Sequence, residues 1–476
     1  RNSEVQVEEA KKYFKEAGIE TVIKGISSTN DIQDTAKSLM SQTEVIFIPT
    51  DNTIVSAINT LVDLSKETKV PVVGSDAGSV EKGVLFTYGT NYEALGRQTG
   101  KLAGRVLRGE KVKDVDAEYP KTLNVVVNHD MAKELGIDVS SISDEESKAS
   151  TQDDKPIAKK DKGVIKLKVN KSSKKGFSNV VLTAISQGLL WAIMAIGVFI
   201  TFRILDLADL TAEGAFPLGA ATTTIMIIRG INPIFATLGG FVAGMLAGAV
   251  SGFMHTKMKI PALLTGIITL TGLYSVNLLV LGSANVSLSG HNTLVTMVMD
   301  LGLSKLNGVI LLGLIFVSLV VLMLVVLLNT QVGLALRATG DNLAMGEANG
   351  IKVDRMKILG YMISNGLIAL SGALLAQNNG YADMNMGTGT IVNGLAAIIL
   401  AEVIVKYLPL GKRLWSIVVG AVLYRLVLVI ILAMNVDAQM LKLASAILLA
   451  IILYVPEVRQ KLKIRPNKSL TPGGDK

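Results

Sequence analysis

From about residue 177 onward the chain is dominated by bilayer-grade apolar stretches, and this confines that half to a narrow choice of folds. Hydrocarbon offers backbone groups no water, so only helices or closed barrels span it, and a spanning helix needs about 20 apolar residues. Candidates are residues 180–202, 216–228, 234–254, 261–281, 306–328, 358–376, 391–405, 415–434 and 438–454. The expectation is an all-α polytopic membrane domain of about nine transmembrane helices. The stretches 216–228 and 391–405 are short for a plain crossing and carry Gly with Pro or Asn at their flanks, as broken or tilted helices do.

Residues 1–175 are unlike this. The overall 50% hydrophobic and 18% charged residues average two dissimilar halves. Much of the net charge of +8 comes from lysines clustered at Lys155, Lys159, Lys160, Lys162, Lys166, Lys168, Lys171, Lys174 and Lys175, with no aromatic residues between them. That pattern does not point to nucleic acid as a partner. Residues 140–176 read as a polar, Lys-rich linker, either solvated or resting its lysines on anionic headgroups; 164–169 carries a weak strand signal. With no cysteine and only His129, His255 and His291, neither a disulfide framework nor metal-ligand spacing is visible. The chain opens on an amphipathic helical pattern without a signal peptide, which an exported domain requires, so an upstream portion is expected.

Within residues 1–139, helical and strand patterns alternate. Helices are predicted over 8–18, 30–41, 53–66 and 92–107, and strands over 21–26, 45–48, 70–73, 84–88 and 123–127. Such alternation predicts an α/β parallel-sheet domain. Ligands of these sheets bind beyond the carboxyl ends of strands, which singles out Thr50, Asp51 and Asn52 after one strand and Ser75 and Asp76 after the next. These residue types also serve as ordinary turn and N-cap residues. No nucleophile elbow, phosphate loop or paired catalytic carboxylates occur. The pattern indicates a binder without cofactor or catalytic residues.

The segments IFIPTDNTIVSAI, VPVVGSDAGSVEKG and TYGTNYEALGRQTGKLAGRVLRGE within 45–110 resemble the ABC-transporter substrate-binding family of type I periplasmic-binding fold. The resemblance runs over roughly residues 3–137 and implies a partial domain, 1–139, lacking much of the first lobe. It further implies that Thr50, Asp51, Asn52 and Asp76 face the ligand cleft, with an aromatic amino acid a frequent solute.

In the membrane half (177–457), Lys257, Lys259, Arg337, Lys352, Arg355, Lys357, Lys406, Lys412, Arg413 and the tail 458–476 fall on one side. Arg229 and Lys305 fall on the other. The positive-inside rule makes the first side cytoplasmic and places the N-terminal domain outside. The polar break 333–351 reads as a docking helix or a solvated loop. It resembles the coupling segment of ABC-importer permeases of the branched-chain amino acid and ribose type, through Arg337, Ala338, Gly340, Asn342 and Gly350, with Asp341 and Glu347 alongside. Residues 200–220 (TFRILDLADLTAEGAFPLGAA) resemble the same permeases. That family implies a cytoplasmic ABC ATPase as partner, a second permease copy in a homodimer, and a small-molecule solute. Pathway candidates are Glu213, Asn365, Gln377 and Glu402, although amides in spans also serve simply to join helices. Glu402 interrupts an apolar run, with Lys406 spaced to pair with it. The sequence thus suggests a multi-pass protein of a bacterial plasma membrane that fuses a solute-binding domain to an importer permease. The alternative is a secondary transporter or a membrane receptor with a regulatory ligand-binding domain.

Overall fold

The computed structural model describes residues 2–26, 32–90, 92–116, 118, 120, 122–139, 146–148, 177–288, 290–405 and 408–433, together with positions 443, 446, 447, 450 and 454. Most of the expected span 438–454, nearly all of the linker, the tail and Lys406 lie outside the described residues. Contacts divide the chain into two compact units, Arg1–Lys175 and Gly176–Lys476.

The first unit runs α1 (Asn2–Glu16), α2 (Ile32–Met40), β1 (Ile46–Phe47), α3 (Asn52–Ser56), α4 (Ile58–Thr68), β2 (Val72–Gly74), α5 (Ala77–Glu81), β3 (Phe86–Thr90), α6 (Tyr92–Leu107), β4 (Thr122–Val127), α7 (His129–Leu135) and β5 (Glu146–Lys148). The five strands form one sheet in sequence order. β1, β2 and β3 pair in parallel, Val73 opposite Phe86, as helix-covered strands should. β4 then runs antiparallel to β3, and β5 antiparallel to β4. An antiparallel edge on a parallel sheet is a common ending, and β5 draws residues of the expected linker into the sheet. Residues 21–26, expected as a strand, have no ladder partner and are irregular. The helix expected over 53–66 breaks at Ala57 into α3 and α4. Ile46, Ile48, Ile58, Leu61, Leu64, Val72, Val84 and Leu85 make the buried core between sheet and helices.

The second unit runs α8 (Phe177–Phe199), a π-turn (Ile200–Ile204), α9 (Ala212–Ile228), α10 (Pro233–Thr256), α11 (Ala262–Leu281), β6 (Asn285–Ser287), α12 (Leu294–Met299), α13 (Lys305–Leu328), α14 (Gln331–Asp341), α15 (Leu343–Ala348), α16 (Val353–Asn379), β7 (Tyr381–Asp383), α17 (Thr390–Ile404) and α18 (Leu410–Ala433). Among the described residues seven helices are long and apolar enough to cross a membrane, with α9 a shorter eighth. The expected total of nine is therefore not reached in the described residues. The first crossing (181–204) and α16 are central, 89% and 83% buried, whereas α11 is only 28% buried and turns most of its surface outward.

α10 shows how this core closes. Gly240, Gly244, Gly248 and Gly252 recur every fourth residue and form one face of the helix. A Cβ at Gly244 would lie 2.5 Å from the Asn365 carbonyl oxygen, and one at Gly248 2.2 Å from that of Tyr361. Bare backbone thus packs on α16, the small-residue contact that joins helices where lipid provides no hydrophobic drive. The opposite face exposes Leu238, Val242, Leu246 and Val250, as a lipid-facing surface should.

Candidate functional site

The structure brings the two polar strand tips of the first unit together. The hydroxyls of Thr50 and Ser75 lie 2.8 Å apart. Asp51 caps α3, accepting from the N–H groups of Thr53 at 2.9 Å and Ile54 at 3.3 Å. Asp76 caps α5, accepting from the Ser79 N–H at 3.0 Å and the Ser79 hydroxyl at 2.6 Å. Asn52 opens α3, and its side chain is outside the described ones. Two residues absent from the sequence reading join the cluster from α1. Ser3 donates to the second Asp51 oxygen at 2.9 Å, and Gln6 accepts the Thr50 N–H at 2.9 Å. Phe14 anchors α1 edge-on against Phe47, ring centroids 5.9 Å apart. Burial pushes the Asp51 carboxyl upward, but the bonds from Ser3, Ile54 and Thr53 outweigh it and hold Asp51 below its ordinary value. Hydroxyls and carboxylates thus cluster at the carboxyl ends of β1 and β2.

The polar break in the second unit folds as a helical hairpin, α14 and α15. Asn342 sits at its corner, its side chain accepting the Met345 N–H at 3.0 Å and so capping α15. One side of the hairpin is buried through Gly333, Leu336 and Thr339. Gly340 belongs to that side: a Cβ there would lie 1.7 Å from the Ile204 carbonyl oxygen, at the end of the first crossing. Ala338 is half-buried. Arg337, Asp341 and Glu347 are exposed, together with Leu334, Leu343 and Met345. Of the six residues expected to couple, three thus form an outward face with apolar neighbours, while Gly340 and Asn342 shape the hairpin.

The four pathway candidates do not converge on one point. Glu402 accepts from Arg203 at 2.5 Å and Arg413 at 2.9 Å, where the first crossing, α17 and α18 end or begin. An acid so placed is an ion-pair centre at helix ends. Lys406, spaced to pair with it, lies outside the described residues. Gln377 bridges helices, donating to Thr237 at 2.8 Å and accepting from the Leu294 N–H at 2.9 Å. Glu213 accepts the Gly389 N–H at 3.1 Å. Asn365, fully buried, donates to Asp209 at 2.7 Å, and its side-chain oxygen has no partner.

Comparison with known proteins fits this two-part build. Residues 1–149 match the family model for ABC transporter substrate binding protein. Residues 180–456, more than half of the chain, match that for the permease component of branched-chain amino acid transport systems. The chain belongs to this permease family. A tyrosine transport system permease protein of Clostridioides difficile is 37% identical over 295 residues, covering 61% of this chain and 96% of that relative. A tyrosine-binding protein of the same organism is 36% identical over 134 residues, 28% of this chain; the chain spans only 39% of that protein. The ligand-free, open structure of a substrate-binding protein with adhesive properties from Clostridium difficile is 36% identical, over 30% of this chain and 48% of that one, at a TM-score of 0.28.

The permease half is therefore a multi-pass membrane protein of an ABC transport system, joined in one chain to substrate-binding sequence. Asp209 was not among the pathway candidates. In the permease it is buried and bonded to Asn365 and to the Thr211 N–H. The glycine repeat of α10 was missed in the sequence, and its function emerges only once α16 lies against it.

Proposed function

We propose that the chain is the membrane subunit of an ATP-driven amino acid importer, with tyrosine as its solute and the substrate-binding region on the outer side of the membrane. Two permease copies pair, and two copies of a separate cytoplasmic ATPase dock on them. The observation that carries this reading is the two-sided build of the α14–α15 hairpin. Gly340 ties its inner side to the end of the first crossing, while Arg337, Asp341 and Glu347 lie on its outer side. A partner that pushes on the outer side moves the first crossing directly. The excess of Lys and Arg on the same side supports a cytoplasmic hairpin and an external N-terminal unit.

Thr50, Asp51, Asn52, Ser75 and Asp76 hold the solute's polar groups, with Ser3 and Gln6 supporting two of them. A polar connector of this composition keeps the binding region at an effective concentration of about millimolar near its own permease. ATP hydrolysis is the partner's chemistry, and this chain makes and breaks no covalent bond.

The test is uptake of labelled L-tyrosine into proteoliposomes holding the chain and its ATPase, loaded with ATP or ADP. Uptake is expected with ATP alone. Uptake that follows an ion gradient equally well without ATP removes the importer reading.

A further inference from the structure

α17 has 15 residues, about 22 Å at 1.5 Å per residue, which is short of a hydrocarbon layer about 30 Å thick. Each of its ends meets one glutamate. At its start Gly389, the N-cap, is in the left-handed region at φ +78°, and its N–H donates to Glu213 of α9 at 3.1 Å. Gly387 packs so closely on the Glu213 backbone that no side chain fits between them. At the other end Glu402 accepts from Arg203 at 2.5 Å and from Arg413 at 2.9 Å. Gly394 and Ile398, two turns and one turn before Glu402, share its face of the helix. Gly394 packs on Met194 and Val198 of α8, and Ile398 is 1% exposed.

The two arginines belong to different parts of the machinery. Arg413 lies in the first turn of α18, and its guanidinium also rests over the Phe199 ring, 5.0 Å from the ring centre. Arg203 lies inside the π-turn Ile200–Ile204, a rare irregularity that concentrates at functional sites. The next residue, Ile204, carries the carbonyl on which Gly340 of the α14–α15 hairpin is seated. A displacement of the hairpin therefore reaches Arg203 across one peptide bond, and Glu402 through Arg203.

A tie between helix ends accounts for two ion pairs. It does not account for their placement, one pair being made beside the hairpin seat and the held helix starting at a pair of glycines. Element-terminal residues of that kind absorb the backbone rotation of a hinge. The paired side chains are 28% to 45% exposed, and pairs so exposed add little to stability. They are correspondingly easy to break and remake.

We propose that Arg203 and Glu402 form a latch at the hairpin end of the permease, with α17 as its moving part. α17 pivots at Gly387 and Gly389 and is released at Glu402 when the hairpin draws Arg203 away. Arg413 keeps Glu402 with α18, so α17 parts from the first crossing and not from α18. The proposal rests on the importer reading for what drives the hairpin.

The chain has no cysteine, so a single introduced thiol reports alone. Ile398→Cys places it on the face of α17 that carries Gly394 and Glu402. Its reaction with a water-soluble maleimide is followed in the full chain, in phosphatidylcholine nanodiscs, without ATPase or solute. Slow labelling is expected in that background. Arg203→Gln and Glu402→Gln should each raise the rate about fivefold, while Arg413→Gln should leave it within about twofold. Arg203→Lys, which keeps the charge, should stay close to the slow rate. A tie between helix ends gives the reverse order, because Arg413 makes two contacts and Arg203 one.

Equal rates in all variants, or a larger effect of Arg413→Gln than of Arg203→Gln, overturn the latch. Melting temperatures identify a misfolded variant, and the two Gln variants approach the pair from different helices, so either one suffices. With the ATPase docked, the Ile398→Cys chain should label faster in ATP than in ADP. Equal labelling alongside ATP-driven uptake overturns the hairpin's hold on the latch and keeps the importer. Absent uptake removes the importer, while the rates of the chain alone still decide the latch.

Discussion

The strand tips of the first unit and the glycine contacts of the second solve the same problem with opposite materials. At the tips, Asp51 and Asp76 fix two loops through side-chain hydrogen bonds to helix N-termini. Many residues can cap a helix, so each contact is replaceable at about 1 kcal/mol. In the membrane unit, Gly340 rests on Ile204 and Gly372 on Phe216 through backbone alone, a Cβ at Gly372 falling 2.1 Å from the Phe216 carbonyl oxygen. Nothing but glycine fits there. Water lets the first unit hold its loops with polar groups at low cost. In lipid, where unsatisfied polar groups are penalised, close backbone approach does that work.

The largest effect should come from adding a side chain to a glycine contact. Gly372→Val or Gly340→Val is expected to destabilise the membrane unit by about 3 kcal/mol or more, because the opposing atoms are backbone and cannot swing aside. Thermal unfolding in detergent measures it, and a near-normal melting temperature would break the comparison. Gly340 substitutions consequently perturb folding and docking together, so they are poor probes of the ATPase contact.

Next comes Asn365→Leu, which removes the amide that donates to the buried Asp209 carboxylate. It should cost about 2 to 3 kcal/mol in the same assay, with Asp209→Asn restoring part of the loss.

Asp51→Ala sits lower, at about 1 kcal/mol in unfolding of the first unit. Its pH dependence has a defined sign. The folded carboxyl titrates below its ordinary value, so its contribution is present above an unfolded pKa of about 3.9 and is lost as pH falls through the lower folded value. The difference between wild type and Asp51→Asn should therefore narrow in acid. Smallest is Glu93→Ala. Its pair with Arg97 leaves both side chains about three-quarters exposed, 76% and 77%, so the change should stay within about 0.5 kcal/mol.

Much of this architecture was legible in the sequence because hydrophobic period and span length are local properties. Eight of the expected spans correspond to helices whose apolar runs were visible directly, α8, α9, α10, α11, α13, α16, α17 and α18. The strand tips followed from the rule that parallel sheets bind ligands at their carboxyl ends. What stayed hidden depends on contacts between distant segments. Glu402 was conspicuous as an acid in an apolar run, yet its partners, Arg203 and Arg413, belong to other helices and no spacing reveals them. Gly340 was marked as a coupling residue by resemblance, while its packing on Ile204 exists only in three dimensions. Arg425 passed unremarked because one arginine in a long apolar helix gives no sign of the Trp191 ring, 4.5 Å from its guanidinium carbon.

The most direct measurement is co-purification of the full chain with its ATPase, comparing wild type, Arg337→Glu and Met345→Glu. Both substitutions alter the outer side of the hairpin and leave the Gly340 contact in place. A stable wild-type complex that both variants lose, with unchanged melting temperatures, is the expected result. Full ATPase binding by both variants would contradict the proposed docking face and, with it, the proposed route from ATP to the permease.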